Sequence, residues 1–529
     1  MEDSVLTGRS RAIALSCALV AGLAVWWAAG RADMAPTARA LMGVTLVMAI
    51  CWATQPIPIA ATSLLPIALY PLFGIAGSKS VCAAYGDSNV FLYLGGFIVA
   101  LGLERWNLHR RMALHVILAV GSSPKRLVFG MAFSSAFLSM WISNTATTLL
   151  MLPIALSLVQ VLEEELPKLG GGGTPQEIRE SLQPFAIALL LAVAFGATCG
   201  GLATIVGTPT NTSFRGFWNR EFVETGWPAL SAAHWMTAFV PLAALMLIAL
   251  CFVTTFRLSI PAGADRLGRE FCEHRLHELG RMSPGEWKML GVFLATAILW
   301  ILREPLIFGD FQIVGGWNEP LSLWLTRQGV SAKAAREMAD DSTVALLMAL
   351  MMFVLRGRRN SVLTAEPLMD WETVQRRVPW GVLLLFGGGF AMADAFRTTG
   401  LGAWLGGNLG VALQGLPLWM IIAGCCALVT LLSEFTSNVA TVNTVLPVLA
   451  PLATSLNVDP RVLLIPAAVS ASFGFMLPVA TPPNAIVYGT GRVPVRAMMK
   501  YGLALDILGV VLITLFALWV VPSAFHVAR

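Results

Sequence analysis

The sequence predicts an all-α polytopic membrane protein, with about eleven transmembrane helices and two re-entrant hairpins in two inverted repeats. Three observations lead there. First, 57% of the 529 residues are hydrophobic and 12% are charged, with a mean hydropathy of +0.73; a soluble domain carries about 25% charged residues. Second, two polar clusters sit inside apolar runs. One is Trp141-Ile142-Ser143-Asn144-Thr145-Ala146-Thr147-Thr148, continuing to Leu152-Pro153; the other is Ser437-Asn438-Val439-Ala440-Thr441, continuing to Leu446-Pro447. Third, the two clusters lie 294 residues apart, and other motif pairs repeat in the same order.

Composition narrows the function. A net charge of +5 is small and reads as loop bias, not as a nucleic-acid surface. The eight cysteines form no CxxC pair, so neither a disulfide framework nor a zinc site is indicated. The first apolar run, 13–29, follows Arg9 and Arg11 like a signal peptide, but further spans follow at once and it reads as a retained helix, within an N-terminal segment 1–34.

Taken in order, spans are expected at 38–54, 58–75 and 89–104, then an interfacial helix from Leu103 through Arg110-Arg111 to Val120. The apolar run 127–160 is too long for one span and is broken by the first polar cluster, so it reads as a re-entrant hairpin with that cluster at its tip. Residues 161–183 read as a loop. A span at 184–215 is interrupted by Gly200-Gly201 and by Gly207-Thr208-Pro209-Thr210-Asn211, and another follows at 236–256. Residues 257–288 are a basic linker, expected to be cytoplasmic. Spans follow at 289–302, 342–355 and 380–398, then a second hairpin at 417–455, a second broken span at 461–490 and a last span at 496–522. The basic loop Arg356 to Arg377 is placed in the cytoplasm, and the acidic loop with Glu319, Asp340 and Asp341 outside.

The repeats cover 35–256 and 289–529. Leu94-Gly95-Gly96-Phe97 matches Phe386-Gly387-Gly388-Gly389-Phe390, and Gly207-Thr208-Pro209-Thr210-Asn211 matches Ala480-Thr481-Pro482-Pro483-Asn484. An odd number of crossings per repeat inverts the second copy. Inverted repeats with broken helices meeting at the midplane are a design of secondary transporters. Small and hydroxyl residues also line ordinary helix contacts in membranes, but such packing does not order several motif pairs alike.

Breaks free backbone carbonyls, and hard cations take oxygen ligands. One cation site can draw on Ser139, Ser143, Asn144 and the carbonyls around Gly207; a second on Ser433, Thr436, Asn438 and the carbonyls around Ala480. Both suit a small monovalent cation such as Na⁺. The hairpin tips also present helix N-termini, which favour anions. Neither tip nor break contains Lys or Arg, so a dianion there depends on co-bound cations for neutralisation. Glu434 is expected to hold the second hairpin by pairing or by facing a water-filled cavity, with proton carriage the lesser reading. Asp394 and Arg397, three apart on a helix, are expected to pair with each other. Asp506, inside the last span, needs a partner the sequence does not name.

These residues resemble the divalent-anion:sodium symporter family, which includes sodium/dicarboxylate and sodium/sulfate cotransporters. The resemblance covers nearly the whole chain and is carried by the Ser-Asn-Thr hairpin motif, by its second copy after Ser433-Glu434-Phe435-Thr436, and by Thr481-Pro482-Pro483-Asn484-Ala485-Ile486-Val487. It implies a homodimer in the cell (inner) membrane, with scaffold and transport domains and elevator-type alternating access. It also implies that Asn144, Thr145, Thr208, Pro209, Asn438, Thr481 and Pro482 face the substrate beside two Na⁺ sites. Two positions depart from the family pattern: Val439 stands where a Thr is common, and Thr210 where a second Pro is common.

The function expected is Na⁺-coupled uptake of C4-dicarboxylates such as succinate, malate or fumarate, with Na⁺ as coupling ion and no organic cofactor. A dicarboxylate exchanger, or a sulfate or tricarboxylate carrier, is the alternative within the class. An enzyme would need a nucleophile–base pair or metal set at the midplane, and the sequence offers none.

Overall fold

In a bilayer every backbone N–H and C=O must be satisfied within its own segment, so apolar runs become helices. The computed structural model describes residues 8–31, 34–121, 123–166, 175–256, 258, 264–303, 306–308, 311–314, 316–331, 334–335, 338, 340–359 and 364–525, and it is mostly helical, with two short antiparallel strand pairs, Leu306–Phe308 with Phe311–Val314 and Arg356–Gly357 with Glu366–Pro367. Among these residues seven helices are long and apolar enough to cross a membrane: Arg9–Ala29, Pro36–Thr54, Ser78–Arg105, Asn144–Glu165, Glu180–Gly201, Ala232–Thr255 and Val495–Ala524. An eighth crossing is formed if Trp371–Arg377 and Trp380–Thr398, bent by 62°, count as one. Other expected spans are shorter. The run 58–75 divides at Ser63-Leu64 into Ile59–Thr62 and Leu65–Leu72, and 342–355 is the 14-residue helix Asp341–Val354.

The hairpins fall where the polar clusters put them. Hairpin 1 has arms Pro124–Ser139 and Asn144–Glu165, and hairpin 2 has arms Leu418–Ser433 and Asn438–Ser455. Each second arm starts at the cluster's asparagine. Broken helix 1 is Pro175–Gly201 and Pro209–Glu221; broken helix 2 is Pro460–Ser470 and Pro482–Tyr488. In both, a proline at the first helical position restarts the helix, where its missing N–H costs nothing.

The closing helix Val495–Ala524 fixes how the hairpins enter. It has 30 residues, about 45 Å at 1.5 Å per residue. At one end Arg492 donates to Glu163, at the base of hairpin 1, at 2.7 Å. At the other, Arg461, just beyond hairpin 2, donates to the Phe525 carbonyl at 2.5 Å. The two hairpin bases therefore lie at opposite ends of one long helix. The halves also interlock: the second arm of hairpin 1 packs on Pro482–Tyr488, and the second arm of hairpin 2 packs on Pro209–Glu221.

Several segments differ from the expectation. The linker 257–288 contains a helix, Ala264–Glu278; Phe271 and Cys272 are buried, and Cys272 and Gly268 line a small cavity with Leu127 of hairpin 1. Burial pushes the Cys272 thiol up to about 11. Broken helix 1 begins at Pro175, inside the segment read as the loop 161–183, of which 167–174 lie outside the described residues. The helix Leu108–Val120 follows Ser88–Arg105 after the left-handed Asn107 and buries Arg111 against Glu286 at 3.0 Å. Leu401–Leu413 holds the matching place in the second half, after the left-handed Gly400.

Candidate functional site

Each hairpin tip is built the same way. Ser139 ends the first arm of hairpin 1, and its hydroxyl donates to Asn144 Oδ1 at 2.6 Å. Ser433 ends the first arm of hairpin 2, and its hydroxyl reaches Asn438 Oδ1 at 2.9 Å and the Ala471 carbonyl at 2.5 Å. The serine holds the asparagine so that the amide oxygen turns into the tip.

Glycines bring the breaks against these oxygens. At Gly201 a Cβ would fall 2.5 Å from Asn144 Oδ1 and 3.1 Å from the Gly207 carbonyl. At Gly207 it would fall 2.6 Å from the Gly201 carbonyl and 3.0 Å from the Ser139 carbonyl. Side-chain and carbonyl oxygens of Ser139, Asn144, Gly201 and Gly207 thus converge, the arrangement a hard cation requires. Gly201 is a member that sequence reading missed. In the second half Gly474 takes the matching role: its Cβ would stand 3.4 Å from the Ser433 carbonyl and 3.1 Å from the Ala480 side chain.

The other two predicted ligands make local hydrogen bonds. Ser143 caps the second arm, its hydroxyl accepting from the Ala146 N–H at 3.3 Å, and it borders a small cavity with Val206 and Trp141. The Thr436 hydroxyl is engaged with Thr441 at 2.5 Å and with the Leu432 carbonyl at 2.9 Å, and its backbone carbonyl is a second oxygen it can offer a cation. Of the residues expected to face substrate, Asn144, Thr145, Pro209 and Asn438 are half-buried, Thr208 and Thr481 are buried, and Pro482 is exposed.

The loops between half-helices are held by matching asparagines. Asn211 donates to the carbonyls of Thr204 at 2.9 Å and Gly201 at 3.1 Å. Asn484 donates to Gly474 at 2.9 Å and Leu477 at 3.0 Å. The unwound chain keeps its shape because these amides replace lost helix bonds. The two departures from the family pattern have structural consequences. Thr210 bonds Thr208 at 3.2 Å and Ser472 at 2.7 Å, tying one break to the other. Val439 is buried.

The tips carry no cationic side chain, but a buried guanidinium stands nearby that sequence reading did not single out. Arg215, 2% exposed, pairs with Asp341 at 2.8 Å and Asp340 at 3.1 Å, and Arg303 joins Asp341 at 2.9 Å. Its charge is matched within the protein. Glu434 holds the second hairpin as expected: its two oxygens accept the Met476 and Leu477 N–H groups, both at 2.9 Å. Asp394 and Arg397 pair as expected, within a wider network of charges. They are 3.8 Å apart, while Asp394 lies 3.3 Å from Arg220 and Arg397 3.5 Å from Glu221. The further partners come from the short half of broken helix 1, which packs against their helix.

The comparisons decide the family. A family model for the sodium:sulfate symporter transmembrane region matches residues 9–524. The chain belongs to that family. It is 36% identical over 489 residues to the sodium-dependent dicarboxylate transporter SdcS of Staphylococcus saprophyticus, covering 92% of this chain and 87% of the relative. The SdcS protein of Staphylococcus aureus is 35% identical over 487 residues, with 91% and 86% covered. Among solved structures, Neisseria gonorrhoeae MtrF superposes with a TM-score of 0.52 at 15% identity, covering 98% of this chain and 96% of that one, a likeness of fold alone. The family consists of transporters, so the chain is a multi-pass membrane transporter and not an enzyme.

Proposed function

We propose that this protein couples Na⁺ to the uptake of divalent anions, C4-dicarboxylates such as succinate, malate or fumarate being the preferred cargo. The observation that carries the reading is the pair of oxygen-lined tips around Asn144 and Asn438, which contain no Lys or Arg. Carbonyl and amide oxygens attract cations and repel a dicarboxylate. The anion is held by the helix N-termini at Asn144 and Asn438 and by the hydroxyls of Thr145, Thr208 and Thr481. Na⁺ ions bound by Ser139, Asn144, Gly201 and Gly207, and by Ser433, Asn438 and the Thr436 and Ala480 carbonyls, supply the opposing charge. Each ligand then lowers the other's cost of binding. The sodium-dependent dicarboxylate transporters among the relatives favour dicarboxylate over sulfate.

The opposite entry of the hairpins supports inverted repeats and alternating access. In the elevator form, a transport domain of hairpins and broken helices moves against a scaffold of early helices, in each protomer of a homodimer. Labelled succinate uptake into proteoliposomes tests the function. Accumulation is expected only with an inward Na⁺ gradient. Uptake that needs internal dicarboxylate and ignores Na⁺ would instead establish an exchanger.

A further inference from the structure

Hairpin 2 carries an acid with no counterpart in hairpin 1: at the 294-residue spacing, Glu434 corresponds to Met140. Glu434 is fully buried, and each of its oxygens accepts one backbone N–H from the unwound segment of broken helix 2. A carboxylate has about four lone-pair sites, so these two bonds do not exhaust its acceptor capacity. Asp506, on the closing helix and 5% exposed, turns its carboxyl to Glu434. Neither Asp506 oxygen completes a hydrogen bond to an N–H or hydroxyl, although the backbone N–H of Phe475 faces it. Among the described residues no Lys or Arg acts on Asp506; the charged group it meets is another acid.

Packing enforces this meeting. Gly502, one turn before Asp506, lies so close to the unwound segment that a Cβ there would fall 2.3 Å from the Phe475 carbonyl. At Gly509, on the other side, a Cβ would fall 2.9 Å from the Phe473 ring. The glycines let the closing helix rest on the break and carry Asp506 against Glu434. Two buried carboxyls brought together without a base are costly, and a cation between them removes most of that cost.

We infer that Glu434 and Asp506 bind one Na⁺ behind the tip of hairpin 2, as an ion of the transport cycle in addition to those at the two asparagine tips. The inference rests on the functional reading above. A monovalent ion fits because backbone N–H groups of the unwound segment already stabilise the Glu434 carboxylate, so the pair does not depend on the ion for full neutralisation. Bound there, the ion joins three elements: the hairpin tip through Glu434, the unwound segment through Met476 and Leu477, and the closing helix through Asp506. Because Glu434 directly follows Ser433, loading this ion sets the tip that holds Asn438.

The test is a flux ratio. Radiolabelled Na⁺ and succinate uptake are counted in parallel in proteoliposomes, for wild type and for Asp506→Asn. The variant is expected to carry one Na⁺ fewer per succinate; an unchanged ratio overturns the inference. Infrared spectra of the purified wild type keep the question decidable if the variant does not fold. Replacing choline with Na⁺ is expected to shift a buried carboxylate stretch and to leave no protonated C=O band. A protonated C=O band that persists in saturating Na⁺, or spectra indifferent to Na⁺, overturns the site and assigns the pair a shared proton. If the wild type shows no Na⁺-driven uptake, the functional reading fails, and the infrared response still decides the site.

Discussion

At the level of single residues, the serine–asparagine contact is the smallest unit to which the proposed function assigns a role. Ser139 and Ser433 fix the direction of Asn144 Oδ1 and Asn438 Oδ1. A hydrogen bond contributes about 0.5–1.5 kcal/mol net, so Ser139→Ala is expected to raise the half-saturating Na⁺ concentration by roughly 2–10-fold, measured by Na⁺ titration of succinate uptake. Gly201→Ala should be more severe, because its Cβ would lie 2.5 Å from Asn144 Oδ1. Forcing the chain apart there costs about 1–3 kcal/mol, and transport should fall while the protein still purifies as a monodisperse species. Asn144→Ala and Asn438→Ala should each abolish uptake, and full transport in either would remove that half from the binding scheme.

The polar clusters were legible because they violate the membrane's rule about unsatisfied groups, and a residue that breaks the rule marks its own position. Gly201 was not legible as a site member. Its contribution is the absence of a side chain beside Asn144, which appears only once the hairpin and the break are packed. Arg215 escaped notice for a related reason: its aspartates stand about a quarter of the chain away in sequence, so nothing local announces the pairing.

Among the secondary-structure elements, apolar length and prolines gave most boundaries directly. Hairpin turns fell at the Ser-Asn junctions, and broken helices restarted at Pro209 and Pro482. The helix Ala264–Glu278 was hidden because its charged residues mask an apolar stripe that is visible only against hairpin 1. The link between the two breaks, Thr210 to Ser472, is likewise a tertiary fact. Thr210→Val keeps the shape and leaves Ser472 without that partner, at a cost of about 1–3 kcal/mol, which should show as a lowered melting temperature in detergent.

The helix Leu108–Val120 makes a pH prediction. Burial drives His109 down to about 4, against the weaker opposing pull of the Leu103 carbonyl 3.1 Å away. The unfolded chain therefore binds a proton between the ordinary value of about 6.5 and about 4, where the folded one does not. Stability contributed here is constant above that window and declines as pH falls through it. His109→Phe should flatten that part of a stability–pH curve, and an unaltered slope would show that His109 is not buried as described.

Across the whole molecule, two pseudo-equivalent halves are fastened to each other. Arg215 on broken helix 1 pairs with Asp340 and Asp341 at the start of Asp341–Val354. Breaking a buried pair costs about 3–5 kcal/mol, so Asp341→Asn should destabilise the protein strongly, read as loss of folded material on mild heating. The cargo's charge follows a different logic. Arg215 is consumed by aspartates, and the tips themselves hold no Lys or Arg, so the proposed mechanism assigns neutralisation to mobile cations.

Linkage then requires reciprocity: Na⁺ must raise succinate affinity by the same factor by which succinate raises Na⁺ affinity. Equilibrium binding of labelled succinate to the purified transporter, with Na⁺ replaced stepwise by choline at constant ionic strength, measures that factor. The dissociation constant is expected to rise at least tenfold as Na⁺ is withdrawn, about 1.4 kcal/mol of coupling. A dissociation constant that is the same in Na⁺ and in choline would contradict the account.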